Sequence, residues 1–377
     1  MDSPADQSSM TSASPDSIPI WAFLVPLLAV AALGARQSGL LPVDTAPFLL
    51  AYAALLGASV FAAVHHAEVL ALRLGEPFGS ILLAVAVTVI EVALIVSILL
   101  SGTPGSDAVA RDTVYAAVMI VLNGVVGACL VLGAQRHREQ TFRIDGASAT
   151  LAVLGTLATL ALVMPNFTIA VHGPIYAPAQ LVVIGAVSLA LYLVFVFVQT
   201  VRHREYFLEI AQLPADASPD AHVLPSNRTS VLSLVLLLIA LSAVVLFAKI
   251  LSKPLETAVL AANLPQAFVG VVIAAVVLLP EGLAATKAAL ANRLQSSMNL
   301  ALGSAVASIG LTIPTVAVVS LVVDLPLVLG LSQENMVLLV LTLFVSSLTL
   351  GTGRTTVLQG AVHLSIFLVF LMLSAVP

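Results

Sequence analysis

The sequence predicts an all-α polytopic membrane protein with about 11 transmembrane helices. Three observations predict it. Of the 377 residues, 60% are hydrophobic and only 9% are charged, against about 25% charged residues in an average soluble domain. Apolar runs of about 20 residues, the length that crosses a hydrocarbon core, recur along the whole chain. These runs are mostly Leu, Val, Ala and Ile, and they lack the strict alternation of a transmembrane barrel strand. The formal net charge of −5 says little about partners, because the charges fall between the runs. The one cysteine, Cys129, lies inside a run, so no intrachain disulfide is possible.

Residues 1–17 are rich in Ser, Pro and Asp and read as a disordered tail. They lack the basic stretch that opens a signal peptide, which makes the first apolar run (18–35, within a leading segment 18–44) a retained helix. The next spans are expected at 45–74, 77–100, 113–134, 146–165 and 177–200. A polar loop follows at 201–229. The remaining spans are expected at 230–251, 256–292 (broken by Pro265 and Pro280), 298–323, 334–350 and 356–376.

With eleven spans, Arg73, Arg136, Arg138, Arg143, Arg202, Arg204, Arg228, Lys287, Arg293 and Arg354 fall on one face of the membrane. Arg36, Arg111, Lys249 and Lys253 fall on the other. The first set is therefore expected in the cytoplasm together with the N-terminus, and the C-terminus outside. An internal repeat divides the chain further. GAVSLALYLVFVF (185–197) and GAVHLSIFLVFLM (360–372) agree at seven of thirteen positions, and they lie in the sixth and eleventh spans. This gives one leading helix and two five-helix repeats, 45–200 and 230–377. Because five is odd, the two repeats are inverted, an arrangement that puts substrate sites at mid-membrane where the halves meet.

Two carboxylates stand within otherwise apolar runs, away from other charges: Glu91 in the third span and Glu281 in the eighth, each in the second helix of its repeat. An ionisable group at that depth costs about 2.5–3.5 kcal/mol on insertion scales, so such groups usually serve transport. Pro280 removes a backbone donor beside Glu281 and opens a carbonyl one turn earlier. Carboxylates, carbonyls and water are the oxygens that Ca²⁺ takes, six to eight at a time. The same two carboxylates can instead hold two protons. One pair of glutamates that exchanges a cation for protons is the minimal antiport site.

Other polar residues are candidates for a supporting role. Thr88 lies one turn before Glu91. Glu76 opens the third span next to Pro77, where the helix dipole alone would favour an acid. His65, His66 and Glu68 cluster in the second span above Arg73; Glu68 is read either as an interfacial partner of Arg73 or, with His66, as part of a proton relay. Asn123 in the fourth span and Asn299, Ser304 and Ser308 in the ninth occupy comparable places in the two halves. Small and hydroxyl residues in membrane helices also serve packing, and the Gly–Ser face of the ninth span suits both uses. Asn263 and Gln266 flank Pro265 on a candidate access route. His363 has no evident partner in the sequence and is read as structural.

Several stretches carry a family resemblance: HAEVLALRLGEPFGSILLAVAVTVIEVALI ending at Ile95, MIVLNGVVG (119–127), QTVRHREYF (199–207), LLPEGLAATKAALANRLQSSMNLALGSAVASIGLTIP (278–314) and GTGRTTVLQGAVHL (351–364). In these the chain resembles the cation/Ca²⁺ exchanger superfamily, and within it the bacterial ChaA-type calcium (sodium, potassium)/proton antiporters. The resemblance implies ten core helices in two inverted repeats, with one acidic residue per repeat acting in exchange. Glu91 matches the first, although VTVIE stands where relatives have GNATE. Glu281 in LPEGLA falls about one turn from the usual place of GNAAEH. The expected substrates are Ca²⁺ and H⁺, with Na⁺ and K⁺ as further candidates, in a bacterial inner membrane. No cofactor is called for, nothing points to nucleic acid, and the oligomeric state is open. Two other readings are a Na⁺(K⁺)/H⁺ antiporter with little calcium activity and, more remotely, an intramembrane enzyme. His65, His66 and Glu68 lack the HExxH spacing of a metalloprotease.

Overall fold

The computed structural model describes residues 18–39, 45–75, 78–103, 105–209 and 224–377. The expected tail at 1–17, Glu76 and the loop residues 210–223 lie outside them. Among the described residues, 11 helices are long and apolar enough to cross a membrane. They are α1 (Ile20–Gln37), α2 (Ala46–Leu74), α3 (Phe78–Leu99), α4 (Ser106–His137), α5 (Ile144–Phe167), α6 (Pro178–Arg202), α7 (Asn227–Ala261), α8 (Phe268–Leu290), α9 (Leu294–Val323), α10 (Gln333–Leu350) and α11 (Val357–Ala375). Large apolar side chains such as Val182, Leu193, Leu238 and Val340 stay exposed on the outer surface, as lipid-facing positions require.

Three boundaries differ clearly from expectation. The seventh helix continues past Leu251 through Pro254 to Ala261, so Glu256 belongs to α7 and α8 begins only at Phe268. Lys249, Lys253 and Pro254 read as a helix end, yet the helix tolerates the proline and keeps Glu256 buried. The fourth helix begins at Ser106 rather than 113. The charges that hid this start neutralise each other: Arg111 Nε donates to Asp112 Oδ1 at 2.7 Å.

α9 is the central element and touches α3, α4, α5, α6 and α8. α2 and α7 lie side by side, α4 packs on α8, and α6 packs on α9 while α11 packs on α4. Close approach needs glycine at particular points. A Cβ on Gly360 of α11 would stand 2.7 Å from the Val131 nitrogen of α4, and one on Gly185 of α6 would meet Pro314 of α9 at 3.4 Å. α1 packs across α2 and α7, with Arg36 5.5 Å above the Tyr52 ring and Tyr52 against Phe247.

The loops cross-pair. β1 (Gln140–Thr141), between α4 and α5, pairs antiparallel with β2 (Arg354–Thr355), between α10 and α11. An isolated bridge joins Ile175, between α5 and α6, to Val328, between α9 and α10. The first pairing lies at the arginine-rich ends of the helices and the second at the opposite ends.

Candidate functional site

Glu91 and Glu281 come from α3 and α8, which both pack on α9. α9 carries Ser304 and Ser308 one turn apart, so their hydroxyls share a face. Ser308 Oγ donates to Glu91 Oε1 at 2.6 Å, and Ser304 Oγ donates to Glu281 Oε2. One helix thus holds both carboxylates, which are only 3% and 7% exposed. Thr312, one further turn along α9, lies beside Glu91. Pro280 within α8 leaves the Val276 carbonyl, about one turn earlier, without its helical donor.

Both glutamates line a single cavity of about 400 Å³. Its walls are Val87 and Thr88 of α3, Tyr192, Phe195 and Gln199 of α6, and Asn299, Gly303 and Ala307 of α9. It reaches the arginine-rich ends of the helices at Arg204, Leu208 and Ser296. Beyond the carboxylates, towards the opposite ends, Ile95 and Ile98 of α3 and Ile313 and Val316 of α9 are buried, and no described residue of those ends lines the cavity. The cavity is therefore open to one face only.

A short segment after α6 roofs the mouth. Asn299 Nδ2 donates to the Phe207 carbonyl at 2.6 Å, and Arg143 Nε donates to that of Leu208 at 3.2 Å. Glu209 accepts from the Ser296 nitrogen at 2.9 Å and from its hydroxyl at 2.6 Å, an anion capping the first turn of α9. Gln199, Phe207 and Leu208 had no assigned role in the sequence, and Arg204 served only to orient the chain. QTVRHREYF holds most of them, but only as a carrier of family resemblance.

The other expected residues divide. Thr88 lines the cavity while its hydroxyl donates to the Ala84 carbonyl at 2.8 Å. Asn299 lies at the mouth. Asn123 is not in the cavity wall: its amide donates to Thr342 Oγ1 and its oxygen meets His363 Nδ1. His66 points the other way, with Nε2 3.0 Å from the Ala22 carbonyl of α1, and the His65 ring lies tilted against Trp21, centroids 5.4 Å apart. Arg73 does not pair with Glu68. It donates to the Pro225 carbonyl at 3.2 Å and to Asn227 at the start of α7, and Glu68 stays exposed on α2. Gln266 comes against Gly105, away from the cavity.

His66 thereby becomes a test of the boundary of the site. His66→Leu is expected to cost about 1 kcal/mol of stability, the worth of one hydrogen bond, seen as a lower melting temperature in detergent. Cation KM should not move; a changed KM would return His66 to the transport path.

Among the described residues, no group of three or more His, Cys, Asp or Glu side chains could hold a metal ion. Two carboxylates, serine hydroxyls and a water-accessible cavity suit an ion that must be released again.

Known proteins resemble this chain in sequence and in fold. The profile of the family described as sodium/calcium exchanger protein matches residues 45–201 and 232–376. A Sinorhizobium fredii protein, whose name, ionic transporter y4hA, is itself only a proposal, is 58% identical across 96% of this chain and 97% of its own. The Escherichia coli sodium-potassium/proton antiporter ChaA is 37% identical across 93% and 94%. Among solved structures, native YfkE superposes with a TM-score of 0.72 at 17% identity, covering 95% of this chain and 100% of YfkE. The H⁺/Ca²⁺ exchanger CAX gives 0.70 at 15%, covering 93% and 87%. At such identities the two structures speak for the fold.

Proposed function

The chain belongs to the sodium/calcium exchanger family, and from that premise we propose that it is a cation/proton antiporter in which Glu91 and Glu281 hold either the cation or protons. The observation that carries this is the single cavity with both buried carboxylates on its wall, each bonded to a serine of α9. Two negative charges balance one divalent cation or two protons, and an occupied pair excludes the competitor. Alternating access then delivers each to the opposite face. We place the arginine-rich ends in the cytoplasm of a bacterial inner membrane by the distribution of positive charge. The N-terminus is then inside, the C-terminus outside, and the cavity open to the cytoplasm, the state that loads an exported cation.

The division into two inverted repeats has three supports. The two matched stretches of the family profile coincide with the two halves. Gly185 and Gly360, equivalent in the sequence repeat, each meet the third helix of the other half, α9 and α4. The loop pairings also exchange: a third-to-fourth helix loop of one half joins a fourth-to-fifth helix loop of the other, at both faces.

Calcium is the proposed cargo, since paired carboxylates and a freed carbonyl are its ligand chemistry. The name of the 37% identical relative favours a second reading, in which Na⁺ or K⁺ takes that place. Everted vesicles carrying a respiration-driven pH gradient test both. Addition of Ca²⁺, Na⁺ or K⁺ singly should dissipate the gradient for the transported ion and identify it. If no cation does so, antiport is wrong.

A further inference from the structure

Most polar side chains of the cavity wall are already bonded within the protein. Ser304 and Ser308 donate to the two carboxylates. Thr88 and Thr200 donate to carbonyls one turn back in their own helices, at 2.8 and 2.6 Å. Ser296 donates to Glu209, and Asn299 is held between the Gln295 amide at 2.8 Å and the Phe207 carbonyl at 2.6 Å. Two neutral polar side chains of the wall are left over, Tyr192 and Gln199, both on α6. Among the described residues, neither bonds to a protein group. They stand seven residues apart, close to two helical turns, and so share one face over about 10 Å of the helix.

Tyr192 is only 5% exposed, and a buried tyrosine hydroxyl ordinarily finds a partner in the protein. This one does not, and its oxygen keeps contact with solvent on the wall of the cavity. A Cβ on Gly310 of α9 would stand 2.7 Å from Tyr192 Cβ, so α6 meets α9 at the root of the side chain and the ring runs on past that contact. Gly310 is two residues beyond Ser308, which puts Tyr192 near the depth of the carboxylates. In the proposed repeats the residue equivalent to Tyr192 is Phe367 of α11. It meets α4 by its tip instead: a Cβ on Gly124 would stand 3.2 Å from Phe367 Cζ, where a hydroxyl has no room. Phe367 is not in the cavity wall. An aromatic ring therefore serves packing in both halves, and the hydroxyl stands in the half whose ring tip is free.

We infer that Tyr192 and Gln199 are cation-binding residues of the cavity: the phenol and the amide offer neutral oxygens to the cation and to the water it carries, Gln199 nearer the mouth and Tyr192 at the depth of the glutamates. Two carboxylates have four oxygens between them. Ca²⁺ takes six to eight, from carboxylates, neutral oxygens and water. The α6 face supplies neutral oxygens that no other part of the protein engages. Protons settle on the carboxylates themselves and need neither residue, so the two side chains act on one of the two competing cargoes.

The inference rests on the antiport reading, and the test keeps the two apart. Binding of Ca²⁺ and, in a parallel titration, of Na⁺ to the purified full chain in detergent is measured by calorimetry. Exchange with the same ions is measured in everted vesicles. The proteins are the wild type, Tyr192→Phe and Gln199→Leu, with Glu91→Gln as the control for the site. Tyr192→Phe keeps the ring that packs on Gly310. It is expected to raise Kd and KM for the bound cation about fivefold, the scale of one hydrogen bond, with Vmax unchanged. Gln199→Leu should raise both about threefold. The slope of log KM against pH should stay as in the wild type in both variants, because the protons are held by the glutamates. If Tyr192→Phe lowers Vmax and leaves Kd and KM alone, the hydroxyl is only structural and the inference falls. It falls too if both variants bind the cation as the wild type does while Glu91→Gln does not bind it. Gln199 has no part in the Gly310 contact, so Gln199→Leu decides the question if Tyr192→Phe fails to fold. Cation binding that survives Glu91→Gln would instead overturn the antiport site itself, whatever the α6 variants do.

Discussion

Glu91→Gln and Glu281→Gln are each expected to stop cation-dependent proton movement in everted vesicles, lowering the rate about 100-fold or more. The amide keeps the shape of the side chain and can still accept from Ser308 or Ser304. Packing around α9 should survive, and the variants should elute as the wild type does from size-exclusion chromatography. What disappears is the negative charge and the protonatable oxygen, so neither cargo can be held. Ser308→Ala is the graded counterpart. It removes a hydrogen bond to a charged group, worth about 1.5–3 kcal/mol, and should raise cation KM about tenfold to 100-fold at little cost in Vmax. Wild-type exchange in either glutamine variant would remove that residue from the site.

Cation affinity is expected to fall as the pH falls. A proton on either glutamate removes negative charge that the cation needs, so apparent KM rises with acidity. The sign follows from linkage: the cation-bound form carries fewer protons than the empty form, and adding protons favours the empty form. Two protons competing for the pair give a limiting rise of about 100-fold per pH unit, and one proton gives about tenfold. The slope of log KM against pH in the acidic limb therefore counts the protons displaced. Vmax at saturating cation separates this competition from a slowed conformational step. A KM that is flat with pH would mean that cation and protons use different sites.

The helices were legible because length and apolar composition alone decide what can cross a bilayer. Where charge intervened, the reading slipped. Asp107, Arg111 and Asp112 hid the first two turns of α4, although Arg111 and Asp112 neutralise each other there. Lys253 and Pro254 hid the last turns of α7. Glu91 and Glu281 stood out because a carboxylate in an apolar run is costly wherever it points. Ser304 and Ser308 could be suspected from their four-residue spacing. Long-range partners left no such trace. His363 meets Asn123 across 240 residues of sequence, and Phe207 meets Asn299 across 92. His66 turned to α1 instead of the cavity. A helical period says which residues share a face, and not which helix that face will meet.

The exchanged loop pairings have a mechanical consequence. β1–β2 at one face and Ile175–Val328 at the other stitch α4, α5, α6, α9, α10 and α11 into one frame, fastened above and below. No strand fastens α2 or α7 to that frame among the described residues. These two lie against each other, and Arg73 ties the end of α2 to the start of α7. Any rearrangement that opens the closed face should therefore be carried by α2 and α7 sliding as a coupled pair, like a sash in a fixed casing. A disulfide locking α2 to α7, which lie side by side, should then spare transport.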